Sequence, residues 1–192
     1  MINIAIFASG EGTNAENLFN YFSNSSSVKI KLVVSNNENA GIVKRAEAFK
    51  KNIQIISKTA LYNYTEQIVD FLKTEKVDLI VLAGFLLKIP EALVKAFPSQ
   101  IINLHPALLP KHGGKGMYGL NVHKAVIEAG EKESGITVHY VNEEYDKGEH
   151  ILQAKCIVEE NETAESLAKK IHELEYEHFP KAIEKAIASI IL

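Results

Sequence analysis

The chain has 192 residues, 46% of them hydrophobic and 23% charged, with a formal net charge of −3. That is ordinary globular composition, sufficient for one domain with a full core, and it lacks the basic excess that nucleic-acid binding needs. The single cysteine, Cys156, excludes an internal disulfide, and the longest apolar runs fall well short of the ~20 residues of a membrane-spanning helix.

Met1–Ala8 shows neither a basic leader nor a signal-like apolar stretch, so a cytoplasmic location is expected. Ile2–Ala8 predicts a buried strand, followed by the loop Ser9-Gly-Glu-Gly-Thr-Asn14. A helix over Ala15–Phe22 would place Leu18, Tyr21 and Phe22 on one face. Lys29–Val34 predicts a second strand, and Ala40–Lys51 a helix with Val43, Ala46 and Phe49 inward. Ile53–Ile56 is a short third strand, and Tyr64, Ile68, Phe71 and Leu72 sit at helical spacing. Asp78–Ala83 is an apolar fourth strand ending at Gly84, Pro90 suits the first turn of a helix reaching Phe97, and Gln100–Leu104 is a fifth strand. This alternation predicts βαβ units, with a mostly parallel sheet between two helical layers.

Beyond Leu104 the rhythm changes. Pro106–Gly119 is a loop dense in proline and glycine, and a helix is predicted over Asn121–Ala129. Gly135–Val141 and Ile151–Val158 are two strands joined by a polar turn, which suits an antiparallel pair; Cys156 is expected there as a small buried hydrophobe. Thr163 is a candidate N-cap for a last helix carrying Leu167, Ile171 and Leu174, which Pro180 should break or kink. No repeat or linker interrupts the pattern, so residues 1–192 are expected to form a single domain.

Two places carry chemistry. In the loop after the first strand, Gly10 and Gly12 allow close backbone approach to a ligand. The helix that follows would aim free N–H groups at the same spot, which suits an anion such as phosphate. A dinucleotide loop fits less well: Ala15 stands where the third glycine of that pattern belongs, and Ser35-Asn36-Asn37 replaces the ribose-binding acid. A plain turn is the remaining alternative. In Asn103-Leu-His-Pro106, residues two apart on a strand face the same way. An Asn amide can stabilise a forming oxyanion while a His carries a proton at the same centre. Asp146 is a candidate to orient that His, although chain order alone does not bring the two together. The seven histidines are scattered without metal-ligand spacing, so no metal is expected.

These residues resemble the phosphoribosylglycinamide formyltransferases of the formyltransferase superfamily. The resemblance covers nearly the whole chain. It rests on Ser9–Asn14, Val34-Ser-Asn36 with Ala40, Leu82-Ala-Gly-Phe85, Asn103-Leu-His-Pro-Ala-Leu-Leu-Pro110, Gly135-Ile-Thr-Val-His139 and Asp146–Gln153. It implies a Rossmann-like N-terminal half and a folate-dependent reaction of purine biosynthesis, in which 10-formyltetrahydrofolate gives its formyl group to glycinamide ribonucleotide. It further implies that Asn103 holds the oxyanion, His105 donates a proton and Asp146 keeps that ring charged. Gly12, Thr13 and Asn14 would hold the phosphate, and Glu175 would contact the ribonucleotide. The folate would lie along Leu86, Leu87, Lys88 and Ile89 and along Asn142, Glu143, Glu144 and Tyr145, with Asn103 beside it.

The resemblance departs from the family where Leu86-Leu87-Lys88 follows Gly-Phe, and near Leu61–Tyr64, which offers no clear folate-contacting arginine. Lys111–Gly119 is glycine-rich and suggests a mobile lid. A formyltetrahydrofolate hydrolase or a non-catalytic nucleotide-binding module are the alternatives. The expected partners are the two small substrates, with no nucleic acid or membrane, for a monomer or weak homodimer.

Overall fold

A computed structural model describes residues 1–191. The chain divides into two compact units, Met1–Ile102 and Asn103–Leu192. The first begins with β1 (Ile2–Phe7), α1 (Thr13–Tyr21), β2 (Val28–Ser35), α2 (Gly41–Ala48) and β3 (Asn52–Ile55). It continues with α3 (Lys58–Asn63), α4 (Thr65–Thr74), β4 (Leu79–Leu82) and α5 (Glu91–Ala96). The strand β5 (Ile101–His105) carries the chain into the second unit, which holds α6 (Leu120–Glu128), β6 (Glu133–Tyr140), β7 (His150–Ile157) and α7 (Ala164–Ile191). The strands follow the sheet order β3-β2-β1-β4-β5-β6-β7.

In the first unit β1 runs parallel to β2 on one side and β4 on the other, and β2 runs parallel to β3. Ile4–Phe7 of β1 and all four residues of β4 are buried. Such strands read as continuous apolar runs because helices cover both faces. Each side chain of this kind removed from water contributes roughly 1.5–3 kcal/mol. In the second unit β6 pairs antiparallel with β7, as the polar turn between them suggested. β6 is buried from Ser134 to His139, whereas β7 alternates along its length.

Several helical details differ from the periodicity reading. α1 buries Ala15, Leu18 and Phe19, and Phe22 at its C-cap is buried as expected, while Tyr21 of the expected face is 46% exposed. α2 is anchored by Ile42 and Ala46, with Val43 and Phe49 half-buried. α3 was not foreseen; it is one short turn-like helix whose start is capped by Ser57 Oγ, which accepts from the Ala60 N–H at 3.1 Å. In α4 the buried residues are Ile68, Val69 and Leu72, with Tyr64 outside. Thr163 caps α7 as expected, its Oγ1 accepting from the Ser166 N–H at 3.1 Å. Pro180 lies inside that 28-residue helix without ending it. The Phe179, Ala182, Ile183 and Ala186 stripe is fully buried around it, and this packing offsets the lost backbone bond. Cys156 is half-buried rather than enclosed, because β7 alternates; burial still pushes its thiol upward.

Candidate active site

The glycine loop lies wholly in the first unit. Gly12 stands at the N-cap of α1 with φ 75°, in the left-handed region. A Cβ there would lie 2.6 Å, 2.7 Å and 2.9 Å from atoms of Ile42, so the position needs glycine for its conformation and for its space. The loop is tied down from α2. The Ile42 N–H donates to the Gly10 carbonyl at 3.1 Å, and Arg45 Nε donates to the Glu11 carbonyl at 2.7 Å. Arg45 also pairs with Glu16 in the first turn of α1. That pairing offsets a carboxylate that would otherwise repel an anion at the helix start. Thr13 and Asn14 open the helix, whose first-turn N–H groups point along its axis toward the loop.

Leu86–Ile89 belongs to the same unit. The Leu86 N–H donates to Ser9 Oγ at 2.9 Å, and Ser9 Oγ donates to Asn36 Oδ1 at 2.5 Å. Tyr62 Oη donates to the Lys88 carbonyl at 3.0 Å. The segment thus presents Leu86, 53% exposed, on a backbone fixed at both ends, while Ile89 is buried.

The second unit gathers the chemical groups around Asp146. Asn103 Nδ2 lies 3.2 Å from His139 Nε2 and 3.5 Å from Asp146 Oδ1. His105 Nδ1 is 3.7 Å from Asp146 Oδ2, and its Nε2 is 2.9 Å from the His112 carbonyl. The Gly114 N–H donates to Asp146 Oδ2 at 2.8 Å. Asp146 itself has φ 53° in the turn after β6, a conformation that aims its carboxylate back at the strand ends. The structure therefore brings Asn103, His105 and Asp146 together as the sequence reading required.

His139 was not singled out from the sequence for any role. Its Nδ1 lies 2.8 Å from the Tyr140 carbonyl, and its Nε2 faces Asp146 Oδ1 at 3.5 Å. A carbonyl only accepts, so Nδ1 carries a hydrogen, and Nε2 faces both the Asn103 amide and the Asp146 carboxylate. The signal was a run of buried polar residues, Ser134, Thr137 and His139, in an otherwise apolar strand. Thr137 braces the same region. Its Oγ1 accepts from the Leu109 N–H at 3.0 Å and donates to the Ala107 carbonyl at 2.7 Å, holding the loop beyond His105. The Leu109–Pro110 bond in that loop is cis.

His105 is only 3% exposed. Burial pushes its pKa down, and the opposing pulls of Asp146 and of the His112 carbonyl do not restore it. Asp146 pulls toward the charged ring, as expected of it, but desolvation outweighs one carboxylate at 3.7 Å in the direction of the shift. For Asp146, burial pushes the carboxyl up, but the His139 hydrogen bond, the His105 charge and the Gly114 N–H outweigh it and leave the pKa lowered. A carboxylate beside a buried imidazole is an arrangement suited to moving a proton.

Glu175 lies on α7, 7% exposed, with the half-exposed His172 Nδ1 bonded to its carboxylate at 2.6 Å. That bond pulls the His172 pKa up. In the turn after β6, the Glu144 N–H donates to Asn142 Oδ1 at 3.0 Å, and Glu143, Glu144 and Tyr145 are exposed. Among the described residues no group of three or more His, Cys, Asp or Glu is arranged to hold a metal ion.

A mostly parallel α/β sheet that carries an amide donor, a buried imidazole and an ionised carboxylate in one cluster is equipped for acyl-group transfer. Residues 2–183 match the family described as formyl transferase, and the chain belongs to that family. It is 38% identical over 185 residues to a protein of Arabidopsis thaliana named phosphoribosylglycinamide formyltransferase, chloroplastic, covering 94% of this chain. The chain spans 63% of that relative's length. The Haemophilus influenzae protein named phosphoribosylglycinamide formyltransferase is 36% identical over 188 residues, covering 96% of this chain and 86% of its own. The solved phosphoribosylglycinamide formyltransferase of Anaplasma phagocytophilum superposes with a TM-score of 0.85 at 37% identity, over 95% of this chain and 85% of its own.

Proposed function

We propose that this chain is a folate-dependent transferase of de novo purine biosynthesis. It moves the formyl group of 10-formyltetrahydrofolate to the amine of N1-(5-phosphoribosyl)glycinamide, giving formylglycinamide ribonucleotide and tetrahydrofolate. The amine nitrogen attacks the formyl carbon, and the carbonyl oxygen becomes an oxyanion. The bond from that carbon to the folate nitrogen then breaks, and the proton lost by the amine ends on that nitrogen. Asn103 Nδ2 donates to the oxyanion. His105 passes the proton, and Asp146 orients its ring. Gly12, Thr13 and Asn14 take the phosphate, Glu175 takes the ribonucleotide, and the folate lies along Leu86–Ile89 and Asn142–Tyr145. Residues 1–192 work as a single cytoplasmic formyltransferase domain, a monomer or weak homodimer, without a metal.

The observation that carries this reading is the cluster of Asn103, His105 and Asp146, with Asn103 Nδ2 3.5 Å and His105 Nδ1 3.7 Å from the same carboxylate. A non-catalytic nucleotide binder has no use for an amide donor beside a proton carrier. The test is turnover of 10-formyltetrahydrofolate with and without the ribonucleotide. Transfer that requires the ribonucleotide is expected. Equal turnover in its absence points to a hydrolase, and no turnover in either arm to a binding module.

A further inference from the structure

Glu131 lies between α6 and β6, outside the cluster around Asp146. Its carboxylate collects two side chains from the loop after β5: Lys111 Nζ at 2.9 Å and 3.0 Å, and His112 Nε2 at 3.3 Å. Lys111 is largely exposed, so its ion pair adds little stability by itself. The His112 ring is mostly covered, and its backbone has φ 55°, a conformation that persists only when neighbours hold it.

The same short turn reaches both members of the proton-transfer pair. The His112 carbonyl is 2.9 Å from His105 Nε2, and the Gly114 N–H donates to Asp146 at 2.8 Å. Between them, a Cβ on Gly113 would meet Leu109 Cδ2 at 2.6 Å and Asp146 Cβ at 3.3 Å, so this position has room only for glycine. No helix or strand holds residues 111–114, and side-chain ties must do so. A carbonyl only accepts, so its position decides that Nε2 of His105 carries the hydrogen and that Nδ1 is the nitrogen turned to Asp146.

We propose that Glu131 is a positioning residue for the transfer reaction: by gripping Lys111 and His112 it keeps the His112 carbonyl on His105 Nε2, and so sets which ring nitrogen holds the proton. This rests on the reaction proposed above. The first measurement is nitrogen NMR of the histidine rings in the full chain, which is independent of activity. The native protein shows His105 protonated at Nε2, and Glu131→Gln shows the two tautomers averaged. In kinetics, Glu131→Gln lowers kcat roughly tenfold, a fraction of the ~10²–10⁴ that positioned proton transfer contributes. The KM for the ribonucleotide stays unchanged. The limb of the pH profile set by His105 moves to lower pH, because a pull that raised the ring is lost, and Glu131→Asp restores most of kcat. His112→Asn keeps the carbonyl but loses the ring contact, and serves if the first variant does not fold. It gives the same signature, and the two changes together are no worse than either alone. Native tautomer signals and a native pH profile in Glu131→Gln overturn the proposal, as do additive losses in the double variant. Absence of ribonucleotide-dependent transfer in the native protein sinks the reaction instead, and the NMR arm still decides Glu131.

Discussion

The loop Ser9–Asn14 and the cluster around Asp146 are built in different ways. The loop is contiguous in sequence and presents mainly backbone: a left-handed Gly12, the start of α1, and ties from Ile42 and Arg45 that hold it open. The cluster presents side chains brought in from far apart, Asn103 meeting His139 across 36 positions and Asp146 across 43. A backbone site tolerates any side chain that leaves its dihedrals and its space alone. A side-chain site loses its chemistry with a single amide. Changes at the first should therefore weaken binding, and changes at the second should slow the reaction.

The largest effect expected is at Asn103. Loss of one oxyanion donor typically costs ~10²–10³ in kcat, so Asn103→Ala should lower kcat by that factor with little change in the KM for the ribonucleotide. Steady-state kinetics with each substrate varied will show it, and a defect confined to KM would place Asn103 with the loop instead. Next comes Gly12→Ala. The added methyl is forced against Ile42 at a φ of 75°, a strain of about 1–3 kcal/mol. The KM for the ribonucleotide should rise tenfold or more while kcat with saturating substrate changes far less. An unchanged KM would remove the loop from phosphate binding.

The smallest effect separates the two regions by pH. Burial lowers the pKa of His105 and of His123 in the second unit. A histidine whose folded pKa lies below its unfolded value adds stability that is full above the unfolded pKa, near 6.5. That stability is lost as pH falls through the folded value, because the unfolded chain binds more protons. His172 acts in the opposite sense, but it is half-exposed and its effect is screened. Urea midpoints should therefore fall between pH 7 and pH 5, and His105→Gln should flatten the slope. An unflattened slope would mean that His105 does not carry it.

The strands were the most legible part of the chain. β1 and β4 are apolar on both faces, so composition alone marks them, and the switch to an alternating strand marks β7. Helix faces were less legible, as Tyr21 and Val43 show: a short helix offers few turns from which to fix its phase, and neighbouring packing decides which adjoining positions turn inward. α3 was missed because one polar-capped turn has no periodicity to read. In the site, Asn103 and His105 were legible because a strand places them on one side, and Asp146 came only through resemblance. His139, His112 and Glu131 carried no local signal beyond being polar residues near apolar ones. Their cited partners are the Asn103 amide for His139, the His105 ring for the His112 carbonyl and the His112 ring for Glu131, groups that only the fold brings within 3.5 Å.

By itself, then, the amino-acid order determined the alternating α/β pattern, the glycine at position 12 and the pairing of Asn103 with His105, because each depends on neighbours within a few residues. Tertiary structure alone decided that Asp146 sits within 3.7 Å of both, that burial works against its carboxylate at His105, and that Glu131 reaches the turn beside them. Those are matters of distance and desolvation, which arise only when segments far apart in the chain share one interior.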